Sequence, residues 1–164
     1  MRTVRNLLVV LLAMIAAPLS AQGKWPEPKC DLKPGHFLVN SGLLYLKSAH
    51  ESRYPDQKAK DLRDAQRTLT QALTTGGQDK NPAAWYYLGR YYVLTADASG
   101  LDTAFAKAEQ LKPACKDDIS GWRRIMWVPV FNAGVAAWQA NNTDSASASF
   151  RRASSMLPDE PTST

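Results

Sequence analysis

Few side chains in this sequence have the types and spacing that chemistry needs. The two histidines, His36 and His50, stand fourteen residues apart with no evident partner for proton transfer. Asp117-Asp118 and Asp159-Glu160 are adjacent carboxylates. Neighbours on a helix or turn point different ways, so they read as first-turn or tail charges rather than an acid–base pair. There is no G-x-S-x-G, no G-x-x-x-x-G-K-[ST], no H-E-x-x-H and no cluster of metal ligands. The expectation is a protein with no catalytic residues, no metal and no cofactor. Asn141-Asn142-Thr143 matches a glycosylation acceptor, a three-residue pattern of little weight.

The remaining reactive pair is Cys30 and Cys115. An even cysteine count in an exported chain favours a disulfide, which closes a large loop here and is worth on the order of 4 kcal/mol in loop-closure entropy. Two lone cysteines make a poor zinc site, because zinc takes four ligands from local pairs. Export is expected from the start of the chain. Arg2 and Arg5 precede an apolar run of eleven residues, 7–17, and then a proline and small residues. That order reads as a secretory signal peptide over 1–21, cleaved after Ala21 or Gly23, with a run too short to span a bilayer; the alternative is an uncleaved anchor that keeps the domain at a membrane surface. The destination is a bacterial periplasm or the exterior, with no membrane span once the signal is removed.

The 164 residues suffice for one domain with a real core. The net charge of +5 is mild, and the basic residues are scattered apart from Arg123-Arg124 and Arg151-Arg152. Nucleic acid is therefore not an expected partner.

The elements that must position these residues are helical. Trp85-Tyr86-Tyr87-Leu88-Gly89-Arg90-Tyr91-Tyr92 reads W-x-x-L-G-x-x-Y, and Phe105, Ala108 and Pro113 follow in frame. This pattern resembles the tetratricopeptide repeat. Only Leu101 departs from it, where the family favours alanine. Gly134 lies 45 residues after Gly89 and brings Ala146, Phe150, Ala153 and Pro158 into the same frame. The eleven residues beyond the family's usual spacing fall in 114–129, which could extend the following helix backwards until Pro129 kinks or breaks it. A looser upstream copy uses Gly42, Tyr45, Ala65, Leu69 and Ala72, with an insertion at 50–60. The units are 36–78, 82–115 and 128–161, preceded by an extended lead-in over 22–35 that the cysteine pair could tie down. The resemblance implies an all-α fold of antiparallel hairpins stacked as a short right-handed superhelix. Glycines 89 and 134 should mark close helix crossings, with Ala108 and Ala153 opposite them and Trp85, Tyr92 and Phe105 filling the space between helices.

By the same resemblance, the first helices should line a concave groove that binds another protein or peptide. Its residues would be Val39, Leu43 and Leu46, then Tyr86, Arg90 and Val93, then Phe131, Val135 and Trp138. Family members that clamp a terminal carboxylate carry lysine and asparagine where Val39, Leu43 and Val135 stand, which speaks against such a clamp here. Two other readings remain open. The chain's own lead-in could fill the groove, or the chain could be an assembly subunit that self-associates into a homo-oligomer through its repeat ends.

Overall fold

The computed structural model describes residues 23–157. The signal peptide expected over 1–21 and the closing Pro158 lie outside the described residues. Six α-helices follow in order: α1 (Phe37–Glu51), α2 (Pro55–Thr74), α3 (Pro82–Thr95), α4 (Ala98–Leu111), α5 (Lys116–Gln139) and α6 (Thr143–Met156). A single 3-10 turn, Pro113–Cys115, separates α4 from α5. No strand occurs among the described residues. The helices pack as three antiparallel hairpins, α1 with α2, α3 with α4 and α5 with α6, and α3 touches both α1 and α5.

Local chemistry sets the helix ends. Asn81 caps α3 by accepting from Ala83 N at 3.0 Å, with Pro82 in the first turn. Asp97 caps α4 through Ser99 N and Gly100 N. Asn142 caps α6, and Asn141 before it takes the left-handed conformation at φ 58°. His36 caps α1, its Nδ1 accepting from Leu38 N at 3.3 Å, so one of the two histidines has a structural role. Pro113 starts the turn that ends α4.

The hairpins close through glycines, but not as the repeat resemblance implied. A Cβ on Gly134 would stand 2.6 Å from Phe150 Cε1, and one on Gly89 would be closer still to the Phe105 ring. The residue opposite each glycine is thus an aromatic ring sixteen positions on, not Ala108 or Ala153, because a flat ring laid on bare backbone fills the gap that alanine would leave. Gly42 meets Leu69 in the same way, twenty-seven positions on. The wider offset goes with a longer first hairpin, whose helices have 15 and 20 residues against 14 and 14 in the second. Phe105 is fully buried, whereas Trp85 and Tyr92 are only half-buried and Trp85 Nε1 donates to Asp79 O at 2.7 Å. Of these two, both expected between the helices, Tyr92 lies there, its ring laid on Gly100 of α4, whereas Trp85 turns its polar end to the turn before α3.

The 114–129 segment does extend α5 backwards, but Pro129 neither breaks the helix nor ends it. Trp122 and Trp127 from this extension cover the core, the latter stacked on Phe131 with centroids 4.7 Å apart. Arg123 Nη1 ties the extension to α4 through Glu109 Oε2 at 2.8 Å.

The glycine contacts give opposite expectations for two substitutions. Gly89→Ala should destabilise, since overpacking a buried ring costs about 1–3 kcal/mol and outweighs roughly 1 kcal/mol of helix propensity. Gly121 lies mid-helix with open space around it, so Gly121→Ala should stabilise by roughly 0.5–1 kcal/mol. Urea unfolding midpoints that moved the same way for both would contradict the packing described here.

Candidate functional site

Nine side chains were expected to line a free groove, and the structure separates them. Val39, Leu43, Leu46, Tyr86 and Arg90 are buried, Val93, Phe131 and Val135 are half-buried, and Trp138 is 65% exposed. The first five are therefore not open surface. The lead-in, here called the strap, crosses this face as extended chain, reaching Glu51 and Lys47 of α1 and Arg90 of α3.

Trp25 anchors the strap. It is 3% exposed, and its ring lies against the Arg90 guanidinium, Cζ being 4.1 Å from the ring centroid. Trp122, from the extension of α5, stacks on the other side of Arg90 at 3.6 Å. A guanidinium is weakly hydrated and planar, so two indole faces can hold it with about 0.5–2 kcal/mol of cation–π attraction each. Burial lowers the Arg90 pKa, and the Tyr86 hydroxyl beside it acts in the opposite sense; the group stays cationic in any ordinary pH range.

Below this sandwich the Tyr86 hydroxyl joins three side chains. It donates to Asp118 Oδ2 at 2.6 Å and accepts from Trp122 Nε1 at 3.1 Å and from Arg90 Nη1 at 3.4 Å. A phenol has one hydrogen and two lone pairs, so its capacity is filled. Burial, reinforced by the bond to Asp118, raises the Tyr86 pKa well above the usual tyrosine range. Tyr87 next to it is pushed up to about 12, chiefly by burial and then by the charge on Glu27 of the strap.

The groove holds the strap mainly by its backbone. Arg90 Nη1 donates to Pro26 O at 3.1 Å, and Asp118 Oδ2 accepts from Lys29 N at 3.4 Å. Lys112 Nζ donates to Asp31 O, and Asn81 Nδ2 donates to Pro34 O at 2.8 Å. At the other end Trp25 N donates to Glu51 Oε1 at 3.4 Å, and the His50 ring meets the Trp25 ring edge-on at 5.6 Å. The bond between Cys30 and Cys115 (S–S 2.07 Å) joins the middle of the strap to the start of α5. A disulfide of this kind fits an oxidising compartment.

Trp25, Asp118, Trp122, Asn81 and Lys112 belong to this site and were not among the expected groove residues. For Trp25 and Asp118 the available signals were weak: a tryptophan in a proline-rich lead-in and a carboxylate that reads equally well as a first-turn charge. Nothing in the arrangement offers an activated nucleophile, since its titratable groups are bonded to one another. Among the described residues no group of His, Cys, Asp and Glu could hold a metal ion, and no helix is long and apolar enough to cross a membrane.

Fold and site together define a protein of helical hairpins whose first-helix face grips an extended segment by its main chain. Compared with protein-family models, curated proteins and solved structures, the chain matches none.

The buried phenols set an alkaline limit. Unfolded tyrosines ionise near pH ~10, whereas Tyr86 and Tyr87 keep their protons longer in the fold. Their contribution to stability is intact below pH ~10 and falls as pH rises towards the folded values, by up to about 1.4 kcal/mol per unit for each residue. Tyr86→Phe should flatten that decline. It should also cost about 1–3 kcal/mol at neutral pH, because Asp118, Arg90 and Trp122 lose a shared partner. Urea titrations between pH 7 and 11 read both effects, and an unchanged alkaline slope would contradict the assignment.

Proposed function

We propose that this chain is a short array related to tetratricopeptide repeats, acting outside the cytoplasm as a non-catalytic module that binds a segment of a partner polypeptide. The glycine-to-ring contact recurring at one offset in the second and third hairpins supports the repeat reading. The disulfide and the basic-then-apolar start of the chain support export.

The binding surface in this reading is the stretch of first-helix face that the strap leaves uncovered, on the second half of α5. Val128, Phe131, Val135 and Trp138 recur there at helical spacing on one side. The observation that carries the proposal is the exposure of Trp138 (65%) and Val128 (44%) beside the half-buried Phe131 and Val135. An exposed tryptophan closing an apolar stripe has the composition of an interface hot spot. Self-association through the repeat end has less support. Ser147, Arg151, Arg152 and Ser155, which α6 turns outward, are all exposed and polar, and Ala148 among them is small. Such a face suits a terminal unit standing in water.

The test uses the oxidised chain as bait in the native extracytoplasmic fraction, with cross-links mapped by mass spectrometry. Partners should cross-link to α5, and Trp138→Ala combined with Val135→Ala should reduce their recovery at least tenfold with helicity unchanged, matching a hot-spot loss of about 2 kcal/mol. Recovery of the same proteins by the double variant would rule out this surface.

A further inference from the structure

The strap is held in a way that differs from the rest of the fold. It has no helix or strand of its own, and between residues 23 and 35 only Trp25 is deeply buried. Pro26, Pro28 and Pro34 contribute no amide hydrogens. Beneath it lies a floor that carries a guanidinium, a phenol and a carboxylate, all buried. Buried charges require partners, and Arg90 and Asp118 complete theirs with main-chain groups of the strap. Backbone contacts of this kind serve any extended chain running in the same direction. The side chains that are read are the aromatic ring laid on Arg90 opposite Trp122 and the Glu27 carboxylate paired with Lys47 of α1.

The covalent link holding this occupant in place can be cut selectively. Cys30 is half-buried on the strap, whereas Cys115 is 1% exposed and stands at the N-cap of the 24-residue α5. A thiolate from a dithiol reductant therefore attacks Cys30 Sγ. The S–S bond breaks and Cys115 leaves as a thiolate at a helix N-terminus, where the peptide dipoles favour negative charge. Asp117 and Asp118 in the same turn oppose that effect; the Asp118 charge is shared with Tyr86, and Lys116 adjoins Cys115. The second thiol of the reductant then displaces Cys30. Two electrons and two protons pass to the protein, leaving two thiols, and the reductant becomes a disulfide.

We propose that the strap is a built-in occupant of a second docking surface, the α1–α3 groove. Reduction of Cys30–Cys115 by a dithiol uncovers this groove for an extended peptide that lays an aromatic side chain on the face of Arg90 opposite Trp122. The inference rests on reading the first-helix face as a peptide-binding face, but it concerns α1 and α3, not the α5 stripe. Once the bond is cut, the strap is still joined to α1 and competes at an effective concentration in the mM range. A partner prevails only where it carries the aromatic contact or where the strap's own is weakened.

The probe is a labelled synthetic peptide of residues 24–35 with serine in place of cysteine at position 30, titrated against the full chain by fluorescence anisotropy. Oxidised wild type should show no saturable binding. Cys30→Ser/Cys115→Ser combined with Trp25→Ala should bind it at least tenfold more tightly than the oxidised chain does. Exchange of the Trp25 and Lys29 amides should accelerate at least tenfold in the double cysteine variant, while the α1–α6 amides keep their protection. Wild type reduced with dithiothreitol supplies the same readouts should a substituted chain lose helicity. If the helical, strap-weakened chain leaves the peptide unbound, or if the two strap amides exchange equally slowly with and without the bond, the groove is a permanent core and the proposal falls. Partner capture through α5 is measured on the oxidised chain, so either reading can fail while the other stands.

Discussion

The fold depends on bare backbone at one point in each first helix. Where Gly42, Gly89 and Gly134 stand, the second helix of the hairpin lays a leucine or phenylalanine side chain directly on the first, at a distance no Cβ would permit. Glycine in mid-helix sacrifices about 1 kcal/mol of propensity, and the ring contact repays it by burying a large apolar surface at short range. The remaining packing follows. Once each hairpin closes, its first helix is left with an apolar face that one hairpin alone cannot bury, and the chain covers that face by stacking hairpins and by drawing the strap across two of them.

That cover carries an electrostatic condition. Arg90 lies on the first-helix face, and the stacking of α5 against α3 takes it out of water. An isolated buried cation is costly. Here the cost is met by two indole faces, a carbonyl of the strap and a phenol that relays to Asp118. Removing any one member leaves another without its complement, so strap, α3 and α5 are energetically one unit although they are distant in sequence.

The hairpins were legible in the sequence because their signals are local: W-x-x-L-G-x-x-Y with Phe105, Ala108 and Pro113 in frame, its second copy around Gly134, and Ala65, Leu69 and Ala72 at helical spacing in α2. The cysteine pairing was legible because only two cysteines exist. The groove was misread at Val39, Leu43, Leu46, Tyr86 and Arg90, although the possibility that the lead-in fills it was visible. Frame position says which way a side chain leaves its helix, but not whether another segment of the chain returns to cover it. Trp25 shows why. It has no periodicity to announce it, and its burial arises from contacts distant in sequence, with Arg90 and with the His50 ring. The alanines opposite the glycines were misplaced for a similar reason: spacing identifies a close crossing, but the side-chain shape that fills it is settled in three dimensions.

The disulfide spans 85 residues of sequence, and that separation bears on how the chain matures. During synthesis or transport from the N-terminus Cys30 emerges long before Cys115, with no other thiol in the chain to trap it in a wrong pairing. In the fold the sulfurs meet across α1 to α4, where the strap comes against the start of α5. This one bond thus joins an early segment of the chain to a late one, and its closure requires the strap and the start of α5 to have come together.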